Sequence, residues 1–397
     1  MKINTDEAKI KEILERGVQD VIVKEHLEKA LASGKKLRVK FGIDPTRPDL
    51  HIGHAVVLRK LKQLQDLGHR IVLLIGDFTA QIGDPSGRTE VRTPLTKEEV
   101  KKNMEGYLEQ AGTIIDIQKA EVVYNSTWFG EGNIKVILEL ARAGSIQQVL
   151  RRADFKKRLD EDQDITLLEI LYPLFQGYDS VMVRADVEIG GTDQLFNMLM
   201  GRRVQRHYNL LEQDVLTTQL LEGTDGVKKM SKSSDNYIGV AEEPNDMFGK
   251  IMSIKDELIL KYFWLCTDVT QDELDAYEKR LNEGANPRDV KMELGKKIVA
   301  LYHSRDAAEK AAKEFEKVFS KKELPSEIEE YRITSSAPLK NILAASGATA
   351  SISAAVRLVE EGAVKINDEV ETDWKKEIKG GETIQAGKRK FIKIIHD

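Results

Sequence analysis

Residues 37–75 carry the pattern that most restricts what this chain can become. Leu37, Val39, Phe41 and Ile43 alternate with polar or small residues, the period of a strand. Asp44-Pro45-Thr46 and Pro48-Asp49 then break the chain into a loop. From Gly53 the period changes: Val57, Leu61 and Leu64 share one helical face, and Gly68 stops the helix after Leu67. Ile71-Val72-Leu73-Leu74-Ile75 is apolar at every position, as a strand covered on both faces must be, and ends in Gly76-Asp77. Strand, helix and buried strand in this order predict a parallel sheet with helices on both sides. Such a sheet takes its ligands beyond the C-terminal ends of its strands. Asp44, Thr79, Asp84 and Asp193 fall just past predicted ends.

The pattern recurs in Glu121–Tyr124 and in Val187-Glu188-Ile189, which ends in Gly190-Gly191, with helices expected over 166–176 and 193–205. Residues 1–240 therefore read as a doubly wound, Rossmann-like α/β domain opened by N-terminal helices. Over 241–320 strand signals vanish and helical periodicity with many Lys/Glu pairs predicts an α-helical domain. Residues 321–336 are polar, carry Pro325 and read as a linker. Residues 337–397 read as a small α+β module. Two short helices lead to Val364-Lys365-Ile366, an Asn367-Asp368 turn and a last strand through Phe391, Lys393 and Ile395.

Composition narrows the class. A chain of 397 residues with 41% hydrophobic and 32% charged content and a net charge of −5 is an ordinary multi-domain globular protein. The single cysteine, Cys266, cannot form an internal disulfide, which fits a reducing compartment. No signal-like segment and no 18-residue apolar span is visible. A cytoplasmic protein without a membrane segment is the expectation.

Two short strings carry chemistry. His51 and His54 stand three apart at a helix start, where free N–H groups and the positive dipole end suit a phosphate. Glycine at 53 leaves room for a base or ribose to approach. A capping pair or a zinc site are the competing readings. With one cysteine and seven histidines no cluster supplies further zinc ligands, so no protein-bound metal is expected. Lys229-Met230-Ser231-Lys232-Ser233 follows Gly223 and Gly226. Alone it would be a solvated basic loop; behind the histidines it reads as a mobile loop whose lysines follow departing phosphate oxygens. Tyr172, Gln176 and Asp179 are spaced i, i+4, i+7, one helical face, and a polar stripe there is unusual for an amphipathic helix.

Phe41-Gly42-Ile43-Asp44-Pro45-Thr46 with His51-Ile52-Gly53-His54, together with the Lys-Met-Ser-Lys-Ser string, resembles the two signatures of class I aminoacyl-tRNA synthetases. Tyr172 to Asp179 and Gly190-Gly191-Thr192-Asp193-Gln194 resemble the amino-acid pocket of the bacterial tyrosyl branch, and the last module resembles S4 RNA-binding domains. The resemblance implies ATP with Mg2+, L-tyrosine and tRNA(Tyr) as ligands, a homodimer assembled around residues 125–165, and tyrosyl-adenylate as intermediate. It implies catalytic roles for His51, His54, Lys229 and Lys232, and ATP contacts from Asp44, Thr46, Gly53, Arg88, Arg92, Gly191, Asp193 and Lys232. Tyrosine would be held by Asp84, Tyr172, Gln176 and Gln194, with Asp179 taking the phenol. RNA would meet Arg357, Lys375, Lys376, Lys388 and Arg389. In one place the chain departs from the pattern. Many bacterial relatives carry a tyrosine four residues before the Asp-Pro-Thr, where this chain has Lys40, on the strand face that alternation turns toward the pocket. A tryptophanyl synthetase, or a non-catalytic RNA-binding protein on the same scaffold, are the competing readings. The Gln176–Asp179 arrangement and the S4-like tail disfavour the first, and two intact signatures the second.

Overall fold

The computed structural model describes residues 2–86, 95–130, 133–320, 328–387 and 390–396. Six strands form the first sheet: β1 (Val18–Ile22), β2 (Arg38–Ile43), β3 (Arg70–Ile75), β4 (Glu121–Tyr124), β5 (Val187–Gly191) and β6 (Asp214–Thr218). Their order is β1-β6-β5-β2-β3-β4. The chain runs outward from β2 through β3 to β4, then returns to lay β5 and β6 on the other side of β2. The reversal opens a crevice at the β2/β5 junction, the place where such sheets bind ligands. Strands β2 to β6 are parallel, and β1 pairs antiparallel with β6. The sheet is thus mixed, and β1 and β6 add to the strands expected from sequence. β1 has five residues with Asp20 in its middle, and Asp20 bonds Thr217, 197 residues away. Nothing local marks it.

The helix after β2 runs Ile52–Asp66, with extended His51 as its N-cap and Gly68 at φ +99° beyond its end. The helix that carries the polar stripe spans Leu167–Met182, six residues past the end expected at Gln176. It opens on a Thr166/Glu169 capping box, and Glu169 is also paired with the fully buried Arg158 at 2.7 Å. Gly177 does not stop this helix. A Cβ there would lie 2.8 Å from Val204 Cγ2 and 3.3 Å from the Met200 carbonyl, so the glycine permits close packing on the helix Leu195–His207. That packing buries Leu174, Phe175, Tyr178, Met200 and Val204 in one cluster.

Residues 1–242 and 253–294 form one compact unit, and 243–252 with 295–397 form a second. The helical region expected over 241–320 is therefore divided. In the first unit Phe263 stacks on Tyr277 at 4.1 Å, and the Arg16 guanidinium donates to the carbonyls of Trp264, Thr267 and Val269. In the second, Phe248 meets Phe315 at 5.7 Å.

The second unit also holds a five-stranded sheet in the order β10-β9-β12-β13-β7. Its strands are β7 (Glu329–Ile333), β9 (Val364–Ile366), β10 (Glu369–Glu371), β12 (Thr383–Ala386) and β13 (Lys390–His396), while β8 (Ala337–Pro338) and β11 (Glu377–Ile378) pair separately. β7 pairs in parallel with β13, so residues 329–333 of the expected linker belong to the C-terminal module, and 321–327 lie outside the described residues. Leu339, Ile342, Leu343, Ala355 and Val359 from two helices fill its core against these strands. No helix among the described residues is long and apolar enough to cross a membrane.

Candidate active site

Strand ends β2 to β5 and two loops converge on one crevice. Asp179, from the helix Leu167–Met182, is 1% exposed and faces two donors. Trp128 Nε1 donates to its Oδ1 at 2.9 Å, and Asn125 Nδ2 donates to its Oδ2 at 3.3 Å. Burial dominates over these donors and over nearby Lys40, and pushes the carboxyl up to about 7. A buried acceptor that already takes two donors is thus held at one end of the crevice.

Two helical turns away, the Tyr172 hydroxyl donates to Asp44 Oδ2 at 2.8 Å, and Thr79 Oγ1 donates to Asp44 Oδ1 at 2.7 Å. Asn125 Nδ2 also reaches Thr79 Oγ1 at 3.0 Å, tying the two acidic ends together. Burial and then Asp44 and Asp84 hold the Tyr172 phenol well above its usual range, so it stays a neutral donor. Asp84 Oδ2 accepts from Gln194 Nε2 at 2.7 Å, which brings two of the residues expected at the amino acid together. Ser86 and Asn197 extend this network to Arg152. Gln176 is half-buried, its amide 3.4 Å from Glu188 Oε1.

The floor of this pocket depends on Gly76. A Cβ there would stand 2.0 Å from Asp44 Oδ1 and 2.3 Å from Thr79 Oγ1. Gly76→Ala should therefore displace both groups, costing about 1–3 kcal/mol of stability and, if the crevice takes the tyrosine that the resemblance implies, more than about tenfold in its affinity. Calorimetric unfolding and tyrosine titration check it; normal binding in the variant would show that Asp44 and Thr79 do not shape the pocket.

The opposite end is basic. The His51 and His54 rings stack with centroids 3.7 Å apart. Burial first, then Lys232 and Lys229, lower His51 to about 3, and burial with His51 holds His54 well below its usual range. Both imidazoles are neutral. The His51 backbone N–H donates to His54 Nδ1 at 3.3 Å, which assigns the proton of His54 to Nε2 and leaves that N–H free to donate. His51 Nδ1 is buried without a hydrogen-bond partner. A Cβ on Gly53 would lie 3.0 Å from the His51 ring and 3.6 Å from Met230 Cβ. The room that glycine leaves is thus filled by His51 itself.

Backbone bonds stitch the lysine loop to the histidines: Ile52 N donates to Ile238 O, and Val240 N to Leu50 O, both at 2.9 Å. Asn236, 2% exposed, organises the loop by accepting from Ser231 N and donating to Asp225 and the Lys229 carbonyl. Lys232 Nζ donates to Arg47 O at 3.1 Å and lies 5.5 Å from the Tyr107 ring centroid; burial lowers its ammonium to about 8. Lys229 Nζ is 2.6 Å from Asp193 Oδ2. Thr46 closes a tight turn by donating its N–H to Asp44 O, and Gly191 leaves the space that the Asp193 carboxylate occupies.

Lys40 does not enter the pocket. Its fully buried Nζ donates to Glu188 Oε1, Ser180 Oγ and the Gln176 carbonyl. Arg88 and Arg92 lie outside the described residues, as do Lys388 and Arg389. In the C-terminal module Arg357 is exposed, Lys375 Nζ stands 4.8 Å from the Trp374 centroid with Lys340 at 4.1 Å, and Lys376 pairs with Glu371 at 2.6 Å. Among the described residues no group of three His, Cys, Asp or Glu side chains is placed to hold a metal ion.

Sequence reasoning missed Asn125, Trp128 and Asn236. Asn125 follows β4 directly, so the strand-end rule points to it; Trp128 and Asn236 carry no local signal.

The family model for class I tRNA synthetases of the W and Y type matches residues 32–320, and the S4-domain model matches 338–384. A tyrosine–tRNA ligase of Thermotoga maritima is 48% identical over 98% of this chain and 98% of its own. One of Carboxydothermus hydrogenoformans is 47% identical over 97% of each. The crystal structure of Archaeoglobus fulgidus tyrosyl-tRNA synthetase complexed with L-tyrosine superposes with a TM-score of 0.62 at 21% identity, covering 77% of this chain and 100% of that one. A truncated mitochondrial tyrosyl-tRNA synthetase of Aspergillus nidulans gives 0.66 at 21% identity, with 78% and 94% covered. At these identities the structures speak to fold alone.

Proposed function

The chain belongs to the class I tRNA synthetases of the W and Y type, as a tyrosine–tRNA ligase, and we propose from this premise how its residues divide the work. The observation that carries the reading is the polarity of the crevice: a buried carboxylate with two donors at one end, neutral histidines and two loop lysines at the other. A tyrosine side chain suits the first, its phenol donating to Asp179. Its ammonium suits the second acidic group, Tyr172 and Gln176 with Asp84. Asp44, expected at ATP, has its carboxylate on Tyr172 and Thr79, and that geometry favours the ammonium side. Gln194, bonded to Asp84, stands where it can orient the carboxylate.

The carboxylate oxygen then attacks the α-phosphorus in line and pyrophosphate leaves. Charge grows on the α-phosphate oxygens, and the N–H groups of His54 and His51 are preorganised to meet it. Because both rings are neutral, they donate without a proton to lose. Lys229 and Lys232 follow the departing oxygens, Asp193 takes the ribose hydroxyls, and Thr46, Gly53 and Gly191 border the nucleotide with Arg88 and Arg92. In the second step the tRNA(Tyr) 3′ hydroxyl attacks the adenylate carbonyl and AMP leaves. The phosphate side offers imidazoles and ammoniums rather than a carboxylate set, so these residues do not form a magnesium seat. Magnesium travels on the nucleotide, and no step here runs through it.

ATP–pyrophosphate exchange with each of the twenty amino acids tests the reading: tyrosine alone should support exchange. Tryptophan-dependent exchange would overturn the pocket assignment, and none at all would favour a non-catalytic RNA-binding role.

The S4 module, with Arg357, Lys375, Lys376, Lys388 and Arg389, supplies phosphate contacts to tRNA. Because β7 belongs to that module, truncation at 328 rather than 337 should leave exchange within about threefold of full length while charging of tRNA falls by more than tenfold. Equal loss of both with the circular dichroism of the remainder intact would reject the modular division.

A cytoplasmic homodimer completes the proposal. Ile134, Leu138, Ile146 and Leu167 are 65%, 62%, 60% and 75% exposed, a concentration of bare apolar side chains in and near residues 125–165. Sedimentation of the full chain should give twice the monomer mass, and Leu138→Asp should shift it toward monomer; an unchanged dimer would move the interface elsewhere.

A further inference from the structure

Behind the acidic end of the pocket lies a polar group that the roles above leave unused. Lys40 on β2 is 0% exposed and Glu188 on β5 is 1% exposed, and Nζ stands 2.9 Å from Oε1. The two strands are register neighbours at these residues. Burying both charges costs several kcal/mol per ion before their attraction repays it, so a pair of apolar residues would serve packing as well. The partners of the pair show what it does. Lys40 Nζ donates also to Ser180 Oγ at 2.8 Å and to the Gln176 carbonyl at 3.0 Å. Glu188 accepts from Ser180 Oγ at 3.2 Å, from the Gln176 amide at 3.4 Å and from Gln213 Nε2. Each of these hydrogen bonds to the helix Leu167–Met182 thus falls on one of two residues near Asp179: Ser180 beside it, Gln176 one turn before.

We propose that the Lys40–Glu188 pair is the positioning device of the phenol site, clamping the Gln176–Ser180 turn to the strand pair and presenting its cationic end to Asp179 so that this carboxylate meets the substrate as an anion. The inference rests on the reading of Asp179 as the phenol acceptor. Its electrostatic half is supported by the groups around that carboxylate. From the segment after β4 it faces Asn125 and Trp128, both neutral, with neutral Thr79 behind Asn125; Tyr172, on its own helix, is neutral too. The Asp44 carboxylate, after β2, opposes ionisation of Asp179, as burial does. Among the described residues Lys40 is the cation that shifts Asp179, and it is the largest of the influences favouring the anion. Lys40 and Glu188 are positioning residues: neither touches the substrate.

The test uses the full-length protein. Removing one partner strands the other's charge and risks unfolding, so the main variant is Lys40→Met/Glu188→Met, with Glu188→Gln as the milder second. The readout is the pH profile of kcat/KM for tyrosine in pyrophosphate exchange, with kcat at saturating tyrosine and unfolding temperature beside it. The acid limb of the double variant should move upward by about one pH unit, a loss of roughly tenfold at pH 6 that closes again at pH 9, with kcat falling much less than kcat/KM. A purely structural pair would lower the unfolding temperature and leave the limb where it is, and that result overturns the inference. Asp179→Asn separates the two layers. If its profile keeps the limb, the assignment of Asp179 itself fails. If the limb vanishes there but is unmoved in the double variant, only the role given to Lys40 and Glu188 fails.

Discussion

Lys232→Ala should slow tyrosyl-adenylate formation on the order of a hundredfold, about 3 kcal/mol, while leaving tyrosine affinity unchanged. Tyrosine is expected among Asp179, Tyr172 and Asp84, whereas Lys232 bonds the Arg47 carbonyl and borders Tyr107. Pyrophosphate gains charge only as its bond to the α-phosphorus breaks. A lysine that engages it then lowers the barrier without improving the ground state. Burial lowers the Lys232 ammonium to about 8 in the free protein. It is charged below that value and neutral above, so kcat/KM for ATP should fall as pH rises through about 8, and the alanine variant should lack that alkaline limb. Single-turnover adenylate formation with tyrosine titrated separates rate from affinity. An unchanged rate with weakened tyrosine binding would place Lys232 in the amino-acid pocket and end this account of the loop.

Asp179→Asn should cost more than about 2 kcal/mol in kcat/KM for tyrosine, roughly thirtyfold or more. The reason is a count of donors. Trp128 N–H addresses one oxygen of Asp179 and Asn125 NH2 the other. An amide must turn its own NH2 toward one of them, leaving two donors face to face in a buried site, and the phenol loses a charged acceptor. The wild-type profile should show kcat/KM for tyrosine rising with pH to a plateau above about 7, where the carboxylate is ionised. Activation at the normal rate by the asparagine variant, with phenylalanine still excluded, would show that another group reads the hydroxyl.

What could be read from the sequence was whatever chemistry lies close together along it. His51 and His54 sit within one helical turn, Lys229 and Lys232 within one loop, and Tyr172, Gln176 and Asp179 on one helix face. The strand-end rule located Asp44, Thr79 and Asp84 before any contact was visible. What escaped depends on crossovers. β1 closes the sheet only because β6 arrives 197 residues later to pair with it. Lys40 alternates toward the pocket side of β2, but its direction is decided by Glu188, 148 residues on. Trp128 is an unremarked aromatic until the helix Leu167–Met182 brings Asp179 to its indole N–H. The helix runs on past Gln176 because Gly177 is the place where another helix presses in.

If Asp193 takes the ribose, as proposed, its ion pair with Lys229 would give the nucleotide a second role. One oxygen of that carboxylate already holds a lysine of the loop, so a nucleoside that claims both oxygens would turn that lysine away. Once turned away, Lys229 has a strong anionic alternative close by, the polyphosphate of the same nucleotide. Seating the sugar and arming the loop then become one event, and a compound with the ribose but no phosphates would release the lysine without giving it a destination. The protein would distinguish ATP from adenosine by what the freed cation finds next.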